Sequence, residues 1–165
     1  MPGLYLEEFQ VGQVIYHETT RTITEPDNVI FSTMTMNPQP LHLDYHAAAK
    51  SIHGKPLVNG MFTLSLMMGL TVNETTLGTT EGNLAFTLVE FPNPVFYNDT
   101  IRVETEILAV RPSKSRPTLG IVEFEHRAIN QDEKVVVRAR RAGLMRSIVL
   151  KPAPRAPGKP AAKKD

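Results

Sequence analysis

An α+β domain, with an antiparallel sheet wrapped around one long apolar helix, is the fold class the sequence predicts. Three observations carry it. A single apolar stretch runs from Leu57 to Val72. Four β-patterned segments follow it with turns between them, and a strand with short helices precedes it. A sheet with one apolar face and a helix that is apolar nearly all round satisfy each other by packing together.

The length of 165 residues suits one domain with one core, expected over residues 1–150. Residues 151–165 are rich in Pro, Ala and Lys, lack apolar periodicity and read as a disordered basic tail. That tail holds five Lys/Arg and one acid, so the overall charge of +1 leaves the body with a net −3. A mildly acidic body argues against a nucleic-acid-binding surface. The Leu57–Val72 stretch is too short for a bilayer and is broken by Asn59, Thr63 and Ser65, so no membrane span is expected. The absence of cysteine removes disulfides and thiolate chemistry and fits a reducing compartment. The opening MPGLYLEEFQ has no basic segment followed by an apolar run, and a cytoplasmic location is the expectation.

Residues 12 to 22 read as a first strand, with Val14 and Ile15 followed by a Thr-rich run. Thr24 then caps a helix, Pro26 suits its first turn and Asp27 complements its dipole. This helix is expected to reach about Met36, with Ile30, Phe31 and Met34 as its apolar face. Asn37-Pro38-Gln39-Pro40 stops it, since each Pro disfavours helical geometry in the residue before. Asp44 caps a short helix around Ala47 to Ala49, and Gly54 to Pro56 form a turn. The central helix is expected from Asn59 and Gly60 to about Val72. Strands follow at Leu84–Phe91, Thr100–Arg111, Thr118–Ile129 and Val135–Ile148, where Ile101, Val103 and Thr105 alternate with Arg102, Glu104 and Glu106.

The chemistry concentrates in two short segments. Asn37-Pro38-Gln39-Pro40-Leu41-His42-Leu43-Asp44 sets an amide and an imidazole five residues apart on a Pro-fixed loop. Val58-Asn59-Gly60-Met61 sets a Gly at the head of the central helix, where free N–H groups and the dipole favour an oxyanion. Together they can hold a water and polarise a thioester carbonyl. Taken singly, His42 also fits capping or packing, Gly60 fits backbone accommodation, and Asn37 fits a helix C-terminus. The five histidines (His17, His42, His46, His53 and His126) show no spacing that would build a metal site with carboxylates.

These segments resemble the MaoC-like dehydratases, which include the R-specific enoyl-CoA hydratases and have the hot-dog fold. The family signature is Asp-x-Asn-Pro-(aliphatic)-His-x-Asp, followed by aliphatic-His-Gly-Met at the head of the central helix. Pro40, Leu41, His42 and Asp44 match the first part, and Val58, Gly60 and Met61 the second. Phe91-Pro92-Asn93-Pro94-Val95-Phe96 and Asp99-Thr100 resemble the later half. Ser113-Lys114-Ser115-Arg116-Pro117 and Ile129-Asn130-Gln131 resemble the branch containing mesaconyl-CoA hydratase (β-methylmalyl-CoA dehydratase), although turn chemistry also accounts for both. Three positions depart: Asn37 replaces Asp, Gln39 replaces Asn and Asn59 replaces His.

The resemblance implies a hot-dog domain that hydrates 2-enoyl-CoA or dehydrates 3-hydroxyacyl-CoA, without a cofactor, as a homodimer or higher homo-oligomer. His42 and Asn37 would be the catalytic residues and Gly60 the oxyanion donor. An amide can orient a water but cannot take its proton, so the acid–base work falls to His42. Two rivals remain at this point. A hot-dog thioesterase would use the same helix terminus with a carboxylate such as Asp44 or Glu90. A non-catalytic acyl-thioester-binding module would bind without turnover.

Overall fold

Period-2 alternation builds most of the sheet. In the computed structural model, which describes residues 3–149, the strands are β1 (Val14–Tyr16), β2 (Arg21–Thr22), β3 (Thr80–Glu90), β4 (Thr100–Pro112), β5 (Leu119–Ile129) and β6 (Val135–Arg146). The helices are α1 (Glu25–Met34), α2 (Pro40–Leu43), α3 (Tyr45–Ala48) and α4 (Gly60–Thr75). The basic tail expected over 151–165 lies outside the described residues. The sheet runs β1-β4-β5-β6-β3, every pair antiparallel, with β2 also on β4. This is the predicted order of one strand region, helices, one long helix and four strands.

On β4 the alternation holds as expected: Ile101, Val103, Thr105 and Ile107 are buried between half-exposed neighbours. Ile101 and Val103 join Val58, Leu64 and Met67 of the α4 segment, with Ala128, Val137 and Ala139 from β5 and β6, in the main core. Each such aliphatic side chain fully buried contributes about 1.5–3 kcal/mol. A second cluster, Leu6, Phe9, Ile107, Val122, Phe124 and Met145, closes the far end. Among the described residues no helix is long and apolar enough to cross a membrane.

Four expectations need correction. The first strand is two pieces: from Tyr16↔Glu104 to Arg21↔Ile101 the chain advances five residues while β4 advances three. The surplus loops out because His17 turns inward to polar partners. Helix α1 stops at Met34, with Met36 in the left-handed region (φ 56°). Its buried residues are Asn28 and Ser32, whereas Ile30 and Met34 are 57% and 77% exposed. Helix α4 runs one turn further, to Thr75, where Thr71 and Thr75 are buried and bond within the helix. Finally, β3 begins at Thr80 because Arg146 N–H donates to Thr79 O and β6 keeps pairing through Met145.

His17 opens a polar chain through the core. Arg141 Nε–H donates to His126 Nε2 (2.9 Å), His126 Nδ1 meets Thr105 Oγ1 (2.7 Å), Thr105 Oγ1 meets His17 Nε2 (2.8 Å), and His17 Nδ1 meets Glu74 Oε2 (2.9 Å). A guanidinium only donates, so each link points the same way, ending on a carboxylate that only accepts. The Arg141 guanidinium also lies 4.5 Å from the Phe124 ring centroid. Burial, then the Arg141 charge, hold His126 well below the usual imidazole range, so it is neutral.

Candidate active site

His42 lies on α2, the single turn opened by Pro40, whose fixed φ suits a first helical residue. Its Nδ1 is 2.8 Å from Leu57 O. A carbonyl can only accept, so the proton is on Nδ1 and Nε2 carries the free lone pair. The backbone doubles this link, with Leu57 N–H donating to Leu41 O (3.0 Å). The His42 carbonyl in turn accepts from Asn28 Nδ2 (3.0 Å) and Tyr97 Oη–H (3.2 Å). His42 is thus held at its ring by Leu57 O and at its backbone carbonyl by Asn28 and Tyr97, with Nε2 left unbonded among the described residues.

Asn59 caps α4, its Oδ1 accepting Met61 N–H at 3.0 Å, while its Nδ2 reaches Ser32 Oγ (3.3 Å). The next residue, Gly60, has an N–H with no protein acceptor among the described residues. Such an orphan donor at the positive end of a 16-residue helix suits developing negative charge. A side chain at position 60 would press on a neighbouring ring. A Cβ on Gly60 would lie 3.1 Å from Cε1 of Phe91. Gly60 lines a cavity of about 350 Å³ with Leu57, Val58, Thr63, Phe91 and Val95.

Asn37 is placed apart. Its Oδ1 accepts Gln39 N–H (3.1 Å), and the residue lines a second cavity of about 350 Å³ with Phe31, Thr35, Asn59, Met61 and Ser65. In one protomer His42 is bonded to Leu57, which lines the Gly60 cavity although His42 itself does not, whereas Asn37 lines the second cavity beside Asn59. The departures have visible consequences. Asn59 is only 4% exposed and serves as a helix cap, and Gln39 contributes its backbone to the Asn37 turn.

Sequence reasoning missed Asn28, Ser32 and Tyr97, and named Phe91 within a family-like string without its place against Gly60. A signal was present for two of them: Asn28 and Ser32 are polar residues four apart, one helical face of α1. The rival carboxylates are committed elsewhere, since Asp44 accepts Ala47 N–H (3.0 Å) as the α3 cap and Glu90 pairs with Arg138 (2.6 Å).

Known proteins share much of this chain's sequence and fold. The beta-methylmalyl-CoA dehydratase of Chloroflexus aurantiacus is 26% identical over 136 residues, 82% of this chain but 38% of that relative. The (R)-specific enoyl-CoA hydratase of Aeromonas caviae is 35% identical over 89 residues, 54% of this chain and 65% of the relative. This chain thus spans less than half of the first and about two thirds of the second. Among solved structures, the MaoC-like dehydratase from Rhodospirillum rubrum superposes with a TM-score of 0.77 at 32% identity, covering 92% of this chain and 100% of that one. A Mycobacterium tuberculosis protein described as a double hotdog fold gives 0.78 at 20% identity, over 92% of this chain and 47% of that one, which establishes the fold. The family model for the MaoC like domain matches residues 8–128. With most of the chain matched, its fold shared and the His42 and Gly60 segments in place, the chain belongs to the MaoC-like dehydratase domain family.

Proposed function

We propose that this chain is a hydratase/dehydratase acting on 2-enoyl-CoA and 3-hydroxyacyl-CoA thioesters, with a branched or dicarboxylic acyl group within its range. The observation that carries the reading is the hydrogen bond from His42 Nδ1–H to Leu57 O, which leaves Nε2 as a base. In hydration, Nε2 takes a proton from water as its oxygen bonds to the β-carbon. The thioester oxygen gains enolate character, held by the Gly60 N–H, and the imidazolium returns a proton to the α-carbon. Asn37, whose NH₂ can donate to a water, is assigned the orienting role; because it lines a different cavity from Gly60 in one protomer, that role requires the two cavities to join. The sum is addition of one water across the double bond, and dehydration is the reverse. The names of the Chloroflexus and Aeromonas relatives support this class of substrate.

The reaction as written uses no cofactor, and the enzyme works in the cytoplasm as a homodimer or higher homo-oligomer. Strand β3 supports assembly: it is a sheet edge with Leu84, Phe86 and Val89 exposed, and Asn37's cavity is rimmed by the exposed Met61. A second subunit over these surfaces would bring further walls to both cavities.

The test is a panel of short, branched and dicarboxylic 2-enoyl-CoAs, followed by loss of the enoyl absorbance. Wild type should hydrate at least one, and His42→Ala should lower kcat by about 10²–10⁴-fold with its melting curve unchanged. Near-normal turnover in His42→Ala would remove the imidazole from the chemistry. Thiol release without loss of the enoyl band would identify a thioesterase instead, and binding without turnover a carrier module.

A further inference from the structure

The imidazole and the oxyanion donor come from different segments, and one fully buried side chain joins them. Asn28 on α1 is 0% exposed. Its Nδ2 donates to the His42 carbonyl (3.0 Å) and to Tyr97 Oη (3.1 Å), while its Oδ1 accepts Asn59 N–H (2.8 Å). Asn59 is the residue before Gly60 and caps the helix that aims the Gly60 N–H. A carboxamide donates from its nitrogen and accepts at its oxygen, so this one side chain bridges the His42 carbonyl and the Asn59 N–H. No aliphatic residue on this helix face could serve, which explains why α1 turns Asn28 and Ser32 inward and leaves Ile30 and Met34 in solvent.

We propose that Asn28 is a positioning residue that sets the separation between the His42 base and the Gly60 N–H. It touches neither substrate nor reacting atoms. Its effect is geometric: with the donor arm lost, the His42 carbonyl keeps only Tyr97, and the ring loses part of its hold. With the acceptor arm lost as well, the head of α4 is freed from the α2 turn. The inference rests on the assignment of His42 and Gly60 to the reaction.

Two variants separate the arms. Asn28→Leu removes both; Asn28→Asp keeps the acceptor for Asn59 N–H and regains the donor only while its carboxyl is protonated. Asn28→Leu should lose about a hundredfold in kcat per folded molecule, with a smaller change in KM. Asn28→Asp should approach wild-type turnover at low pH and lose it as pH rises and its buried carboxyl ionises, a falling limb that wild type lacks. Among the described residues, Tyr97 is the titratable side chain hydrogen-bonded to this amide and His42 meets it through its backbone carbonyl; Tyr97→Phe, which leaves the amide in place, should not reproduce that limb. In parallel, nitrogen NMR of the free protein should show His42 as the Nδ1–H tautomer in wild type and a mixture of tautomers in Asn28→Leu. A wild type that hydrates nothing on the panel would overturn the proposed reaction alone, since the tautomer measurement still judges Asn28. Unchanged kcat per folded molecule in both variants, or an unchanged His42 tautomer, overturns the positioning role; if Asn28→Leu does not fold, the pH profile of Asn28→Asp decides.

Discussion

At the scale of single residues, the division of labour between Asn37 and His42 is the sharpest question. The Asn37 amide oxygen is occupied by Gln39 N–H, which leaves its NH₂ to meet a water from the donor side. His42, with Nδ1–H given to Leu57, holds the proton-accepting atom. Asn37→Asp would add a second base in a half-buried position. If His42 does the acid–base work alone, kcat of Asn37→Asp should stay within about tenfold of wild type in steady-state assays. A gain of a hundredfold or more would show that the natural site lacks a carboxylate it needs. His42 and Gly60 were legible in the sequence because each sits in a short, ordered string of residues. Asn28 and Tyr97 were not, because their roles depend on contacts 14, 31 and 55 residues away.

Among elements, α4 and β4 were the most legible and α1 the least. The alternation of Ile101, Val103, Thr105 and Ile107 states its own geometry, since a strand's faces follow from a period of two. Helix α1 offered an apolar face and a polar one, and the polar one faces inward. Burial of Asn28 and Ser32 is stable only because His42 O, Asn59 N–H and Asn59 Nδ2 supply partners that no local pattern announces. The head of α4 carries its own prediction. Gly60→Ala would press a methyl against the Phe91 ring, and moving either the ring or the helix shifts the oxyanion donor. The expected result is about a tenfold or greater loss in kcat, partly restored when Phe91→Leu is added, with a double-mutant cycle as the measurement. Additive losses in the cycle would mean that the ring does not press on the methyl.

For the molecule as a whole, the chain from Arg141 to Glu74 makes stability depend on pH. His126 is neutral in the fold with its pKa well below 6.5, while in the unfolded chain it binds a proton near pH 6.5. The unfolded state therefore takes up more protons as pH falls below that value, so this contribution is full above about pH 6.5 and is lost on acidification. Urea titrations should show stability falling by up to about 1.4 kcal/mol per pH unit over that window, and His126→Gln should flatten the slope. A slope unchanged in His126→Gln would assign the acid sensitivity elsewhere. On the outer face of the sheet, Arg127 is held among Glu104, Glu106 and Glu125, and the two arginines beside Glu125 keep its carboxyl below the usual range. That network is partly exposed and adds only modestly to stability.

The hydroxyl midway along that buried chain is fed by one ring and feeds the other, so its single proton has only one place to go. Serine could take over the post without reversing the traffic. Valine, almost identical in outline, would leave an imidazole hydrogen and an imidazole lone pair facing a methyl group in a dry layer, at a cost of about 1–3 kcal/mol for each.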